Sequence, residues 1–324
     1  MIAVQTLNCH SLYQKNDVDA LQLQLIMALV SSYLLKKQYD NVVLYCDSKT
    51  AEILKDSFYS EIRILPKNIF GKYNYGTLAK LYTYSNVEEE YIHFDIDYFL
   101  FKKIELKNDI LCAYSETKKK LTESVYNKTY INLIDKLKTN YNQFKFPFNV
   151  VDENYATNTC IFGVPTNYYK DVTEYFKELN EYTENHIETI FSTYTTDEPP
   201  HWAIEQYMPA QFFLENNFKI TELNPYENYQ IRRHIDSIRL YEMENFSLVG
   251  TARLKDINLK EVITKYMKEH TGHHLWITKG VDGIDDILKN VIKELYPEVY
   301  NKIINTLNRH FVEFNKNKKT NKFI

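Results

Sequence analysis

Residues 89–103 read "EEYIHFDIDYFLFKK". Two acids and a histidine interrupt a run in which Tyr91, Ile92, Phe94, Ile96 and Phe99 all favour burial. A strand sends alternate side chains to opposite faces, so in an extended "YIHFDID" His93, Asp95 and Asp97 share one face and Ile92, Phe94 and Ile96 the other. A strand covered on both sides would be apolar throughout. Carboxylates two residues apart repel each other when ionised, and burying them unpaired costs several kcal/mol. The stretch therefore predicts a central strand whose acids meet a lysine or arginine, open water, or a divalent cation. Mn2+ or Mg2+ takes hard oxygen ligands, typically one or two carboxylates with phosphates and water completing the shell.

Upstream, strand-like and helix-like pieces alternate. "IAVQTL", "NVVLYCD", "EIRIL" and "YIHFDID" read as strands, and "DVDALQLQLIMALVSSYLLKK", "SKTAEILKDSF" with Ser48 as N-cap, and "TLAKLYTYS" read as helices. Such alternation predicts an α/β fold with a mainly parallel, Rossmann-like twisted sheet flanked by helices. Ligands of such sheets sit outside the carboxyl ends of the strands. Those ends carry Thr6 and Asn8, Cys46 and Asp47, and Asp95 and Asp97. Asp47 suits either a nucleoside contact or the start of a turn.

Downstream, "KNDILCAYSE" and "NTCIFGVP" read as strands around a helix-prone stretch near 118–138 and an aromatic loop. "TNYYKDVTEYFKELNEY" reads as an amphipathic helix and "EPPHWAIEQYMPAQFFLENN" as a helix disturbed at Pro209. "FKITEL", "FSLVGTAR" and "HHLW" follow as strands, with "LKEVITKYMKEH" as a helix between the last two. The expected organisation is a catalytic domain over 1–280, its nucleotide-binding half about 1–115 and its acceptor half about 116–280. Residues 281–324 form C-terminal helices and a basic tail.

Composition narrows the class. A net charge of −4 with both signs scattered leaves no basic face for nucleic acid. No window has the length of a membrane span and "MIAVQTLNCH" lacks a signal-peptide pattern, which points to a cytoplasmic protein. The basic tail "NKNKKTNKFI" reads as a solvated end, only weakly suggestive of a membrane surface. Four scattered cysteines argue against a zinc ribbon or disulfide framework. With only seven glycines, neither GxGxxG nor GxxxxGK[ST] occurs, so a bound nucleotide needs another holder for its phosphates.

The block "YGTLAKLYTYSNVEEEYIHFDIDYFLFKKI", residues 75–104, resembles the core of GT-A glycosyltransferases, particularly family 8, in which a helix with a basic residue precedes a hydrophobic strand ending in DxD. The resemblance implies that Asp95 contacts ribose and metal, that Asp97 ligates the metal, and that Lys80 approaches the nucleotide or phosphates. "TNTCIFGVP" is similar to the family strand beside the sugar and points to Asn158. "HWAIEQYMPAQFF" is similar to the helix reaching the transferred sugar or acceptor and points to Glu205 and Gln206. "GHHLWITKG" resembles an HxxGxxK closing element, with His273 and Lys279 in register, Trp276 in place of glycine, and His274 as a competing metal ligand.

From the residues alone, Lys80 equally fits an exposed helix lysine, Asn158 a turn, and Glu205 a surface ion pair. His93 reads as a core or supporting histidine rather than a metal ligand. The implied activity is metal-dependent transfer of a sugar from a nucleoside diphosphate donor, a UDP-sugar, to a hydroxyl of a glycan or glycoconjugate, and the family-8 resemblance implies retention at the anomeric carbon. The rival readings are a nucleotidyltransferase and a catalytically inactive carbohydrate-binding protein on the same fold. Asp95 and Asp97 stand too close together to act as a glycosidase pair.

Overall fold

The computed structural model describes residues 1–67, 69–70, 73, 76–117, 151–152, 155–192, 203–223, 272–274, 293–294, 297, 300–302 and 305–306. The expected strand at 246–253 and helix at 259–270 lie outside these residues, as does the helix-prone stretch near 118–138.

The chain opens with β1 (Ile2–Leu7), α1 (His10–Lys15), α2 (Val18–Lys36), β2 (Val42–Cys46), α3 (Ser48–Leu54), β3 (Glu61–Ile64), α4 (Gly76–Ser85) and β4 (Tyr91–Phe94). It continues with β5 (Tyr98–Leu100), β6 (Ile110–Thr117), β7 (Tyr155–Val164), α5 (Tyr169–Ser192), a π-helical turn (Ala203–Tyr207), α6 (Met208–Glu215), β8 (Ile220–Glu222) and β9 (Gly272–His274). Seven strands form one sheet in the order β3-β2-β1-β4-β7-β6-β8. Only β7 runs against its neighbours, β4 and β6, and the other pairings are parallel. This is the mainly parallel mixed sheet flanked by helices that the alternating pattern predicts.

Burial follows the strands' composition. Every residue of β1, β2 and β4 is buried, because helices cover both faces. On one face Tyr84 of α4, Phe162 of β7, Phe176 of α5 and Phe213 of α6 form a ring cluster, with Tyr84 4.8 Å from Phe176 and Phe162 5.9 Å from Phe213. On the other, α2 packs Leu25, Ile26 and Leu29 beside Leu7, Leu44 and Cys46. Gly163 is where the sheet needs its smallest residue: a Cβ there would lie 2.8 Å from Leu106 Cδ1 and 2.9 Å from Leu111 Cβ.

The N-terminal end of α3 differs from expectation. Asp47, not Ser48, is the N-cap, its carboxylate accepting the Thr50 N–H at 3.0 Å and the Thr50 hydroxyl at 2.7 Å. Aspartate is among the best N-caps, and here its negative charge also meets the positive end of the helix. At the other end of the chain, the residues described between 293 and 306 are helical. There Tyr300 packs against the α2–α3 side of the core, and Lys302 Nζ lies 4.3 Å over the Phe58 ring.

Candidate active site

β4 stops at Phe94, short of the acidic pair. Residues 95–97 form a turn closed by Tyr98 N–H, which donates to the Asp95 carbonyl at 2.9 Å. The strand expected through Asp97 is thus two halves in different sheets: β4 in the main one, and β5 paired antiparallel with β9. Strand alternation therefore places Asp95 beside His93, with Nδ1 3.9 Å from Oδ1, but does not extend to Asp97. Asp95 N–H still donates to Cys160 O at 2.8 Å, which ties the start of the turn to β7.

Beneath this turn lies a buried charge cluster. Lys80 of α4 is 8% exposed, with Nζ 2.6 Å from Asp95 Oδ1 and 3.0 Å from Glu205 Oε1. It is not the exposed helix lysine that its sequence context allows, and Glu205, fully buried, is not in a surface pair. Thr159 of β7 also donates its hydroxyl to Glu205 Oε1. The Lys80 approach to Asp95 Oδ1 is an ion pair off hydrogen-bond direction, and among the described residues Glu205 Oε2 has no hydrogen-bond partner. Burial works against a charged Lys80, but the two carboxylates prevail and hold its pKa above the usual lysine value. Burial pushes the Glu205 pKa up; Lys80 offsets this in part, and Asp95 adds to it. One buried cation is shared by two carboxylates, so the cluster favours a further positive charge or hydrogen-bond donor.

The π-helical turn delivers Glu205. Pro209 has no N–H for the carbonyl four residues back, which is that of Glu205, and the chain takes a wider turn over Ala203–Tyr207 before α6 begins. Thr157 donates its hydroxyl to Gln206 O at 3.4 Å, so alternate residues of β7 hold this turn on one side. The disturbance expected at Pro209 is thereby also what places Glu205 in the core.

His93 is fully buried between Thr6 Oγ1, 3.1 Å from Nε2, and Tyr84 OH, 3.4 Å from Nδ1. Thr6 in turn donates to Thr83 Oγ1 at 2.8 Å. Burial, reinforced by Lys80 and opposed by Asp95, lowers the His93 pKa to about 3. A histidine with a depressed folded-state pKa stabilises the fold above its unfolded value of 6.5 and loses that contribution as pH falls. Between pH 6.5 and about 5 the wild type is expected to lose up to about 2 kcal/mol that His93→Gln does not lose. Urea titrations at stepped pH read the difference. Parallel losses in both proteins would refute the assignment.

The other candidates divide. Cys160 stands level with Asp95, so Asn158, two residues earlier on β7, lies beyond the end of β4; its Oδ1 accepts Cys160 N–H at 3.0 Å. Register pairs Tyr98 with His274 and Phe99 with His273, which brings that backbone beside the residues following Asp97. Thr6, next to last in β1, is buried at that strand's carboxyl end, and its hydroxyl meets His93. Asp47 caps α3 and accepts the Cys9 N–H at 2.9 Å, a structural task that by itself explains an acid there. Lys279 lies outside the described residues.

Residues 10–306 match the family of unknown function DUF6734. The chain belongs to that family. No curated protein matches it. Among solved structures, this DUF6734 chain is similar to the glycosyltransferase GlyE of Streptococcus pneumoniae TIGR4, at 11% identity and TM-score 0.41, over 96% of this chain and 63% of that one. It thus spans less than two thirds of GlyE. It is also similar to the galactosyltransferase LgtC, solved with donor and acceptor sugar analogues (9% identity, TM-score 0.44, 91% of this chain and 96% of that one). A third likeness is to mouse xyloside xylosyltransferase 1 (11% identity, TM-score 0.40, 84% of this chain and 96% of that one). At TM-scores of this size, function has to be read from the side chains of the chain itself.

Sequence reasoning missed Thr159, Thr83 and Tyr84, which partner Glu205, Thr6 and His93. Thr159 carried a signal: "TNTC" sets three polar residues into a strand that is otherwise buried. Thr83 and Tyr84 carried none, since both fit an ordinary helix.

Proposed function

We propose that this chain is a metal-dependent glycosyltransferase that moves a sugar from a nucleoside diphosphate donor, a UDP-sugar, to a hydroxyl of a glycan or glycoconjugate. The observation that carries this reading is the buried Lys80, Asp95 and Glu205 cluster at the carboxyl end of β4, one cation shared by two carboxylates with Glu205 Oε2 unpartnered among the described residues. Such a site suits a polyhydroxylated ligand that brings donors and a cation.

Among the described residues no group of three or more His, Cys, Asp or Glu side chains gathers as a metal cage. Mn2+ or Mg2+ does not require one, because one or two carboxylates suffice when a diphosphate and water complete the shell. Asp95 and Asp97 are the hard oxygen ligands in this proposal, with His273 or His274 as a further ligand. A bound cation would neutralise charge on the departing diphosphate. Lys80 orients the Asp95 carboxylate. Glu205 accepts a hydrogen bond from a sugar hydroxyl at Oε2, and Gln206 and Asn158 flank the sugar. Thr6 and Asp47 border the nucleoside side and Lys279 meets the diphosphate. Retention at the anomeric carbon is part of the family-8 resemblance.

A donor screen with Mn2+ tests the reading. UDP release is expected from the wild type, and Asp97→Asn is expected to release UDP about a hundredfold more slowly, the scale for removing one preorganised electrostatic group. Equal release by both proteins would remove Asp97 from the site. Pyrophosphate release would instead favour nucleotidyl transfer, and sugar binding without turnover an inactive carbohydrate-binding protein.

A further inference from the structure

The buried polar groups on the α2 side of the sheet take no part in the site described above, yet they converge on the backbone of its acidic turn. Gln5 stands in the middle of β1 and is fully buried. Its Nε2 donates to Ser31 Oγ at 2.9 Å and to the Asp95 carbonyl at 3.3 Å. Ser31, fully buried on α2, donates to the Tyr98 carbonyl at 2.6 Å. Tyr59 OH donates to Gln5 Oε1 at 2.9 Å.

The donors and acceptors allow one direction only. The Asp95 carbonyl can only accept, so the amide end facing it and Ser31 is Nε2, which leaves Oε1 toward the Tyr59 hydroxyl. Ser31, having accepted from Gln5, has its proton for Tyr98. The Asp95 carbonyl accepts both Gln5 Nε2 and Tyr98 N–H, which fills its two lone pairs. Both ends of the turn that carries Asp97 are thus held from below by side chains of β1, α2 and the segment after α3.

We propose that Gln5, Ser31 and Tyr59 form a clasp of positioning residues that fixes the 95–98 turn, so that the Asp95 and Asp97 side chains are presented at the sheet edge. The ligand-binding part of this inference rests on the function proposed above; the holding of the turn does not. Thr183 provides an internal control: it is equally buried, on α5, but its hydroxyl bonds Leu179 O at 2.7 Å within that helix.

Hydrogen exchange on the full-length protein decides the structural part without any ligand. Ser31→Ala and Gln5→Leu are expected to speed exchange of the Asp95 and Tyr98 amides about tenfold, the equivalent of one or two lost hydrogen bonds, with β2 unaffected. Thr183→Ala and the wild type should match at those amides. Exchange at 95–98 unchanged in both clasp variants would overturn the proposal. Calorimetry with UDP and Mn2+, run well below each variant's Tm, adds the functional part: about tenfold weaker binding by Ser31→Ala, and wild-type affinity in Thr183→Ala. Equal weakening in Ser31→Ala and Thr183→Ala would overturn the positioning role. Failure of the wild type to bind UDP and Mn2+ would count against the proposed function, while the exchange result still decides the clasp.

Discussion

Lys80→Met is expected to lower the free energy of unfolding by about 3–5 kcal/mol, the range for removing one partner of a buried ion pair. The methionine keeps the length and apolar stem of the side chain, so little packing is lost. What remains is the fully buried Glu205 and the largely buried Asp95 with no cation between them. Such charges escape by taking up a proton, and the Glu205 pKa, already raised by burial, should rise further. Stability should then fall as pH rises from the ordinary carboxyl value of 4.5 through the raised folded-state value, because the folded protein holds the proton more tightly than the unfolded chain. Urea unfolding at acid and neutral pH measures both effects. A variant as stable as the wild type at neutral pH would mean that Lys80 is not the counter-ion of the cluster. Adding Glu205→Gln to Lys80→Met should recover part of the loss.

Glu205→Gln alone is expected to separate stability from activity. The amide is nearly isosteric, removes the surplus negative charge, and leaves Lys80 paired with Asp95, so stability should stay level or rise. Sugar transfer should nevertheless fall by about a hundredfold or more, the scale seen when a preorganised polar group at a reacting centre is replaced. A buried residue whose charge the fold does not need is one retained for what it binds. Unfolding curves and UDP release measured on the same preparation read the two effects together. A loss of stability with full activity would reverse the assignment and make Glu205 structural.

Much of the framework was legible because local rules and the tertiary fold agree. The period-2 runs and the helical repeats before residue 115 correspond to β1 to β4 and α2 to α4, and an apolar strand buried on both sides has few other conformations open to it. Agreement ended where a local pattern met a long-range demand. "YIHFDID" continues to alternate beyond Phe94, but the chain turns there because β5 pairs with β9, some 170 residues later. Similarly, "SKTAEIL" carries a sound N-cap in Ser48, and Asp47 takes the role while also holding the Cys9 N–H across from the neighbouring strand.

The sequence by itself determined the α/β class, the sheet edge where Asp95 lies, and the scarcity of glycine that rules out a phosphate-cradling loop, since these depend on residue type and spacing within single segments. Only the tertiary structure decided that Lys80 and Glu205, 125 positions apart, share one buried ion pair, that His93 is a neutral link between Thr6 and Tyr84, and that Gln5 and Ser31 support the acidic turn. The physical reason is the same in each case. The cost of burying a polar group is local, but the partner that offsets it can come from any part of the chain.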